Sequence, residues 1–95
     1  MSAALKILAM SETEQRLMAL YGPTMDVIEV AEMLSMTRET IYTLRAIGRF
    51  DITMFTGARR KLVAYTRDVA EHMDKRREAQ MRADAALAAK MAVRW

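Results

Sequence analysis

Apolar residues recur at helical spacing in four stretches of the chain, and two short stretches before the last of them are rich in β-branched and aromatic residues. Ser11-Glu12-Thr13-Glu14 reads as a capping box, with Ser11 as cap and Glu14 reaching back to it. Leu17, Met18 and Leu20 follow as the apolar face of that helix. Tyr21-Gly22-Pro23 must end it, because glycine leaves a helix and proline cannot continue one. Residues 1–10 either extend this helix backwards or fray. Thr24-Met25 is a short extended link. Asp26 then caps a second helix, with Glu29 at the box position, and Val27, Val30, Ala31 and Leu34 face inward. A turn over Ser35, Met36 and Thr37 leads to a third helix, capped by Thr37, running to Ile47 and closed by Gly48.

After Gly48 the period changes. Ile52-Thr53-Met54-Phe55 and Leu62-Val63-Ala64-Tyr65 flank the polar link Thr56-Gly57-Ala58-Arg59-Arg60-Lys61, which predicts a β-hairpin. Thr66 is expected to cap a last helix, with Val69, Ala70, Met73, Met81, Ala88, Met91 and Ala92 on one broad side and Arg77 and Asp84 interrupting the stripe. Residues 83–92 contain six alanines, which favour helix without any packing. The expected architecture is mainly α: a winged helix-turn-helix with a small two-stranded hairpin and flanking terminal helices. Residues 1–23 form an N-terminal helix, 24–80 the winged domain and 81–95 a helical tail.

Composition narrows the function. With 95 residues the chain is one small domain with little core to spare for a deep substrate cavity. One histidine and no cysteine exclude a zinc finger and disulfide stapling. Met1 to Met10 lacks the apolar core and cleavage pattern of a signal peptide, and no stretch approaches the length of a membrane span. The expected location is cytoplasmic, with the nucleoid, and no membrane partner. The net charge of +3 is unevenly placed: −3 over residues 1–34, +4 over 38–61 and +2 over 62–95. A localised basic excess on a small domain suggests a polyanion as partner.

The basic segment coincides with a recognisable constellation. Two short helices separated by a three-residue turn, capped by Asp26 and Thr37, form a helix-turn-helix pattern. At 100° per residue Ile41 and Leu44 point to the core, with Thr37 and Gly48 near the same line. Glu39, Tyr42, Thr43 and Ala46 then point away, and Arg38, Arg45 and Arg49 flank that outer face. Such a helix suits a major groove, with arginines on phosphates or guanine edges and Thr or Tyr on bases or backbone. Arg59, Arg60 and Lys61 put three consecutive cations at the hairpin tip, where a wing can straddle the backbone or reach the minor groove. The competing readings are an amphipathic helix with a solvated face and a solvated turn. The order of the two features in the chain favours the nucleic-acid reading. Thr37 and Glu39 complete the expected contact set.

The run from Met25 to Tyr42, with Ala31 and Leu34 in the first helix, Thr37 as cap and Thr40-Ile41-Tyr42 in the second, then Ile47-Gly48-Arg49-Phe50, resembles the winged helix-turn-helix of MerR-type excisionases. The basic wing and the closing Thr66-Arg67-Asp68-Val69 helix also match. The resemblance covers about residues 24–76, and the wider outline from Leu17 to Ala79 is similar to phage and pyocin-type activators of that superfamily. Ser35 stands where the family's turn usually has glycine, and Asp51 where proline is common. The resemblance implies sequence-specific binding of double-stranded DNA by a mobile-element protein. Its role would be excision, as a recombination directionality factor, or transcriptional regulation. An integrase or RNA polymerase is the implied protein partner.

The remaining residues suggest no enzyme and no cofactor. His72, beside Glu71 and near Asp68, reads as a surface or helix-packing imidazole rather than a metal ligand. Glu29 and Glu32 solvate their helix, Ser2, Ser11 and Ser35 have no nearby base, and most of the ten methionines sit at apolar helical positions as core filler. The tail, with Leu87, Met91 and Trp95 at near-helical spacing, is expected to mediate self-association, as a dimer or a cooperative array on DNA. The alternative to DNA binding is a protein-interaction adaptor that uses the terminal helices.

Overall fold

The structure, a computed structural model, describes residues 10–93. The extension of the first helix over residues 1–9 and the placement of Trp95 lie outside that range. Four α-helices and three short strands follow in the order α1 (Glu12–Tyr21), β1 (Thr24–Asp26), α2 (Val27–Met33), α3 (Arg38–Ala46), β2 (Met54–Thr56), a short helical turn (Ala58–Arg60), β3 (Leu62–Tyr65) and α4 (Thr66–Val93). The protein is mainly helical, with one small antiparallel sheet.

Capping explains where the helices begin. Ser11 accepts a hydrogen bond from the Glu14 amide, and Thr37 from the Thr40 amide. At Asp26 the box is reciprocal: its carboxylate accepts from the Glu29 amide at 2.9 Å, and the Glu29 carboxylate accepts from the Asp26 amide at 3.0 Å. Gly22 closes α1 at φ 79°, and Gly48 follows α3 at φ 72°, a region glycine enters without a Cβ penalty. Ser35, in the α2–α3 turn, holds φ 55° with a side chain. α3 ends at Ala46, with Ile47 as its C-cap.

The sheet has three strands where the sequence predicted two. Thr24-Met25, expected as a short extended link, joins the cap residue Asp26 in a strand that pairs antiparallel with β3, Met25 opposite Ala64, and the strand order is β1-β3-β2. The same Ala64 lies opposite Met54 on the other side. Met25, Met54, Leu62 and Ala64 face inward and are buried. A three-residue strand carries too little periodicity to be read locally; its pairing partner lies about forty residues on.

The core joins every element. Leu17 of α1, Met25, Val27, Val30 and Ala31, Ile41 of α3, Ile52, and Val69 and Ala70 of α4 form one buried cluster with the inner face of the sheet. Leu34, expected inward, is half-buried, and so is Leu44. Thr37 and Gly48, placed near the inward line of α3, are exposed at its two ends. Leu20, expected on the apolar face of α1, is 72% exposed, because α1 packs chiefly against α4 and turns only Leu17 fully inward.

Thr66 departs from its expected role. It is the first residue of α4 rather than its cap, and it is fully buried. Its hydroxyl donates to the Gly22 carbonyl at 2.6 Å, and its amide donates to the Pro23 carbonyl at 3.0 Å. The residue thereby pins the start of α4 to the end of α1. Only the first two turns of α4 enter the core. Met73 is half-buried, whereas Met81, Ala88, Met91 and Ala92, expected on a packed side, are exposed. At about 1.5 Å per residue the helix is about 42 Å long, and its second half leaves the domain behind.

Candidate nucleic-acid interface

α3 turns a single side chain fully inward. Ile41 is 0% exposed, which fixes the rotation of the helix. Glu39, Tyr42, Thr43 and Ala46 are accordingly exposed, as are Arg38, Arg45 and Arg49 around them. All the contact residues named on or beside this helix from the sequence, Thr37 included, reach solvent. Tyr42 is 48% exposed, although the ring is large enough to cover a neighbouring face.

Hydrogen bonds order part of this surface. The Thr37 and Thr40 hydroxyls lie 2.9 Å apart, and the Thr43 hydroxyl donates to the Glu39 carbonyl at 2.9 Å. Arg38 Nε lies 3.4 Å from Glu39 Oε1 in an exposed pair worth little by itself. Glu39 has its pKa lowered, first by its backbone hydrogen bond and then by the hydrogen bond from Arg38, so the face carries a firmly ionised acceptor.

The hairpin tip carries the second group of cations. Gly57 donates to the Lys61 carbonyl at 2.8 Å and closes the loop. Arg59 and Arg60 both hold φ 59°, a left-handed geometry costing about 1 kcal/mol or more in a residue with a Cβ. A Cβ on Gly57 would lie 3.0 Å from a Val63 methyl, so the strand must pass close there. Arg59, Arg60 and Lys61 are all exposed. Among the described residues no ion pair engages Arg45, Arg49, Arg59, Arg60 or Lys61. These five cations are free to meet an external anion.

His72, read from sequence as a packing imidazole, is half-buried on α4 close to Arg76, Lys75 and Asp51. Burial lowers its pKa from 6.5, helped by Arg76 and Lys75 and opposed by Asp51. Among the described residues no group of three or more His, Asp or Glu side chains is placed to hold a metal ion. None of the described helices is long and apolar enough to cross a membrane.

Sequence reasoning gave no role to the Phe55–Tyr65 pair, whose ring centroids lie 5.0 Å apart on the outer face of the hairpin. Tyr65 remains 55% exposed. The strand alternation of Leu62 and Ala64 inward, Val63 and Tyr65 outward was the signal that could have found it. No protein-family model, no curated protein and no solved structure matches this chain.

Proposed function

We propose that this chain is a winged helix-turn-helix protein that binds double-stranded DNA sequence-specifically, with α3 in the major groove and the β2–β3 tip as the wing. The observation that carries the reading is the outer face of α3. Tyr42, Thr43 and Ala46 line it, Arg38, Arg45 and Arg49 rim it, and the wing adds three cations that no ion pair engages among the described residues. Polar and methyl-bearing groups between phosphate-binding cations are what groove recognition needs. The resemblance to MerR-type excisionases supports a mobile-element setting at the nucleoid, with excision or transcriptional regulation as the outcome. An integrase or RNA polymerase is then the protein partner.

The test is retardation of duplex DNA by the purified chain at low salt, against a control protein of equal charge. Affinity should fall steeply as salt rises. No shift beyond the control on a pool of genomic fragments would refute the reading. Mapping bound sites in cells then separates the two outcomes: an attachment site means excision, a promoter means regulation.

A single module of this kind buries about 600–1,000 Å² against DNA, too little for high specificity alone. The exposed half of α4, with Met81 60%, Leu87 59% and Met91 54% exposed, supports self-association of two or more copies on the site. The same surface is what favours the adaptor reading. Loss of DNA binding with retained partner capture would select the adaptor.

A further inference from the structure

Glu39, Thr43 and Ala46 stand at positions i, i+4 and i+7 of α3, so they form one line along its exposed side. Seven residues at about 1.5 Å each span about 10.5 Å, roughly three base-pair steps of 3.4 Å. Each position has a restricted chemistry. The Thr43 proton is committed to the Glu39 carbonyl at 2.9 Å, so its hydroxyl can only accept further bonds, and its methyl is the apolar group it carries on this exposed side. Ala46 has a methyl and nothing else. Glu39, held ionised, accepts hydrogen bonds and cannot donate.

The major groove offers few complements to that set. Thymine presents a methyl group there, which threonine and alanine methyls can cover. Cytosine presents an amino donor with no acceptor next to it on its own edge. Adenine sets its amino group beside the N7 acceptor, which repels a carboxylate, and guanine presents acceptors alone. A carboxylate brought against DNA without an amino partner is repelled by the phosphates, so Glu39 penalises every other base.

We infer that this line reads a short pyrimidine step, Glu39 accepting from a cytosine amino group and the Thr43 and Ala46 methyls packing on thymine methyls. The inference rests on the duplex-binding reading above and specifies its target.

The test begins with selection from a random duplex pool by the wild-type chain, Glu39→Gln, Thr43→Val and Thr43→Ser. The selected site is then remade with deoxyuridine, which lacks the methyl, at each thymidine in turn. The wild-type site should hold a cytosine and at least one thymine within about three consecutive positions. Deoxyuridine should weaken wild-type binding about fourfold at a contacted position, the value of burying one methyl-sized group. Thr43→Val should keep that sensitivity and Thr43→Ser should lose it at one position. Glu39→Gln should bind duplexes more tightly overall, while its preference for cytosine falls about tenfold. The deoxyuridine arm uses the unaltered protein, so it stands even if a variant folds poorly. Specific wild-type binding with no response to deoxyuridine and an unchanged Glu39→Gln motif would overturn the inference and leave the duplex reading intact. Failure of the wild-type chain to bind any duplex would overturn that reading itself.

Discussion

Replacing Arg59, Arg60 and Lys61 together by glutamine removes the charge of the hairpin tip and keeps an unbranched polar side chain at each position. Glutamine also keeps the backbone cost as it is, because Arg59 and Arg60 already hold φ 59° with a Cβ; glycine would relax the loop and confound the result. The magnitude follows from a count of cations. Arg38, Arg45 and Arg49 rim α3, Arg59, Arg60 and Lys61 form the tip, and all six are exposed. If each neutralises one phosphate, log K falls with log salt at a slope of about −5.4, and affinity drops about 2,000-fold between 50 and 200 mM salt. Without the tip the slope should be about −2.7 and the drop about 40-fold. Discrimination between sites should stay nearly unchanged, since phosphate contacts carry no sequence information directly. Tyr42→Ala should do the reverse, lowering discrimination with little change in slope. Fluorescence anisotropy titrations at several salt concentrations on selected and random duplexes measure both quantities. A triple variant with the wild-type slope would refute the wing assignment, whatever its affinity.

Thr66→Val should cost about 1–2 kcal/mol, because it removes the buried bond to Gly22 and strands its carbonyl acceptor; urea melts measure it, and a loss under about 0.3 kcal/mol would sink the pinning role. Ser35→Gly should stabilise the chain by about 0.5–1 kcal/mol, since relief of the left-handed penalty at φ 55° exceeds the entropy glycine adds to the unfolded state. Burial lowers the His72 pKa from 6.5, so the unfolded chain binds the proton more readily; stability present above 6.5 should fall as pH drops towards the lowered value, and His72→Gln should flatten that part of a thermal-melt profile. Deleting residues 81–95 should abolish self-association while leaving the fold intact, because the last side chain of α4 packed on the core is Met73; sedimentation and melting of the truncated chain check both halves.

Much of this molecule was readable because caps and turns are local. The hydroxyls of Ser11 and Thr37 and the carboxylate of Asp26 each receive the amide three residues on, as the spacing predicted. What was missed depends on long-range partners. Thr24–Asp26 becomes a strand only through β3, and Thr66 offers a hydroxyl whose residue type suits a cap equally well. Its acceptor lies 44 residues earlier in the chain. Likewise, the apolar stripe of α4 runs past Met73 without telling where the domain beneath it stops.

The candidate site belongs to the readable part for a geometric reason. A nine-residue helix with one fully buried side chain has one free parameter, its rotation, and Ile41 fixes it. Once Ile41 points inward, the 100° step sets Glu39, Thr43 and Ala46 outward whatever the rest of the fold does. That also defines how the reading fails. Ile41→Ala should destabilise the chain by about 2–5 kcal/mol through the cavity it leaves, and DNA discrimination should fall with the folded fraction. Ala46→Leu adds bulk to the outer face and touches no core residue. It should leave the melting curve within about 0.5 kcal/mol of wild type and still impair specific binding, because the added carbons occupy the space the groove needs. If Ala46→Leu destabilises the fold instead, the rotation assigned to α3 is wrong, and every outward residue assigned from it falls with it.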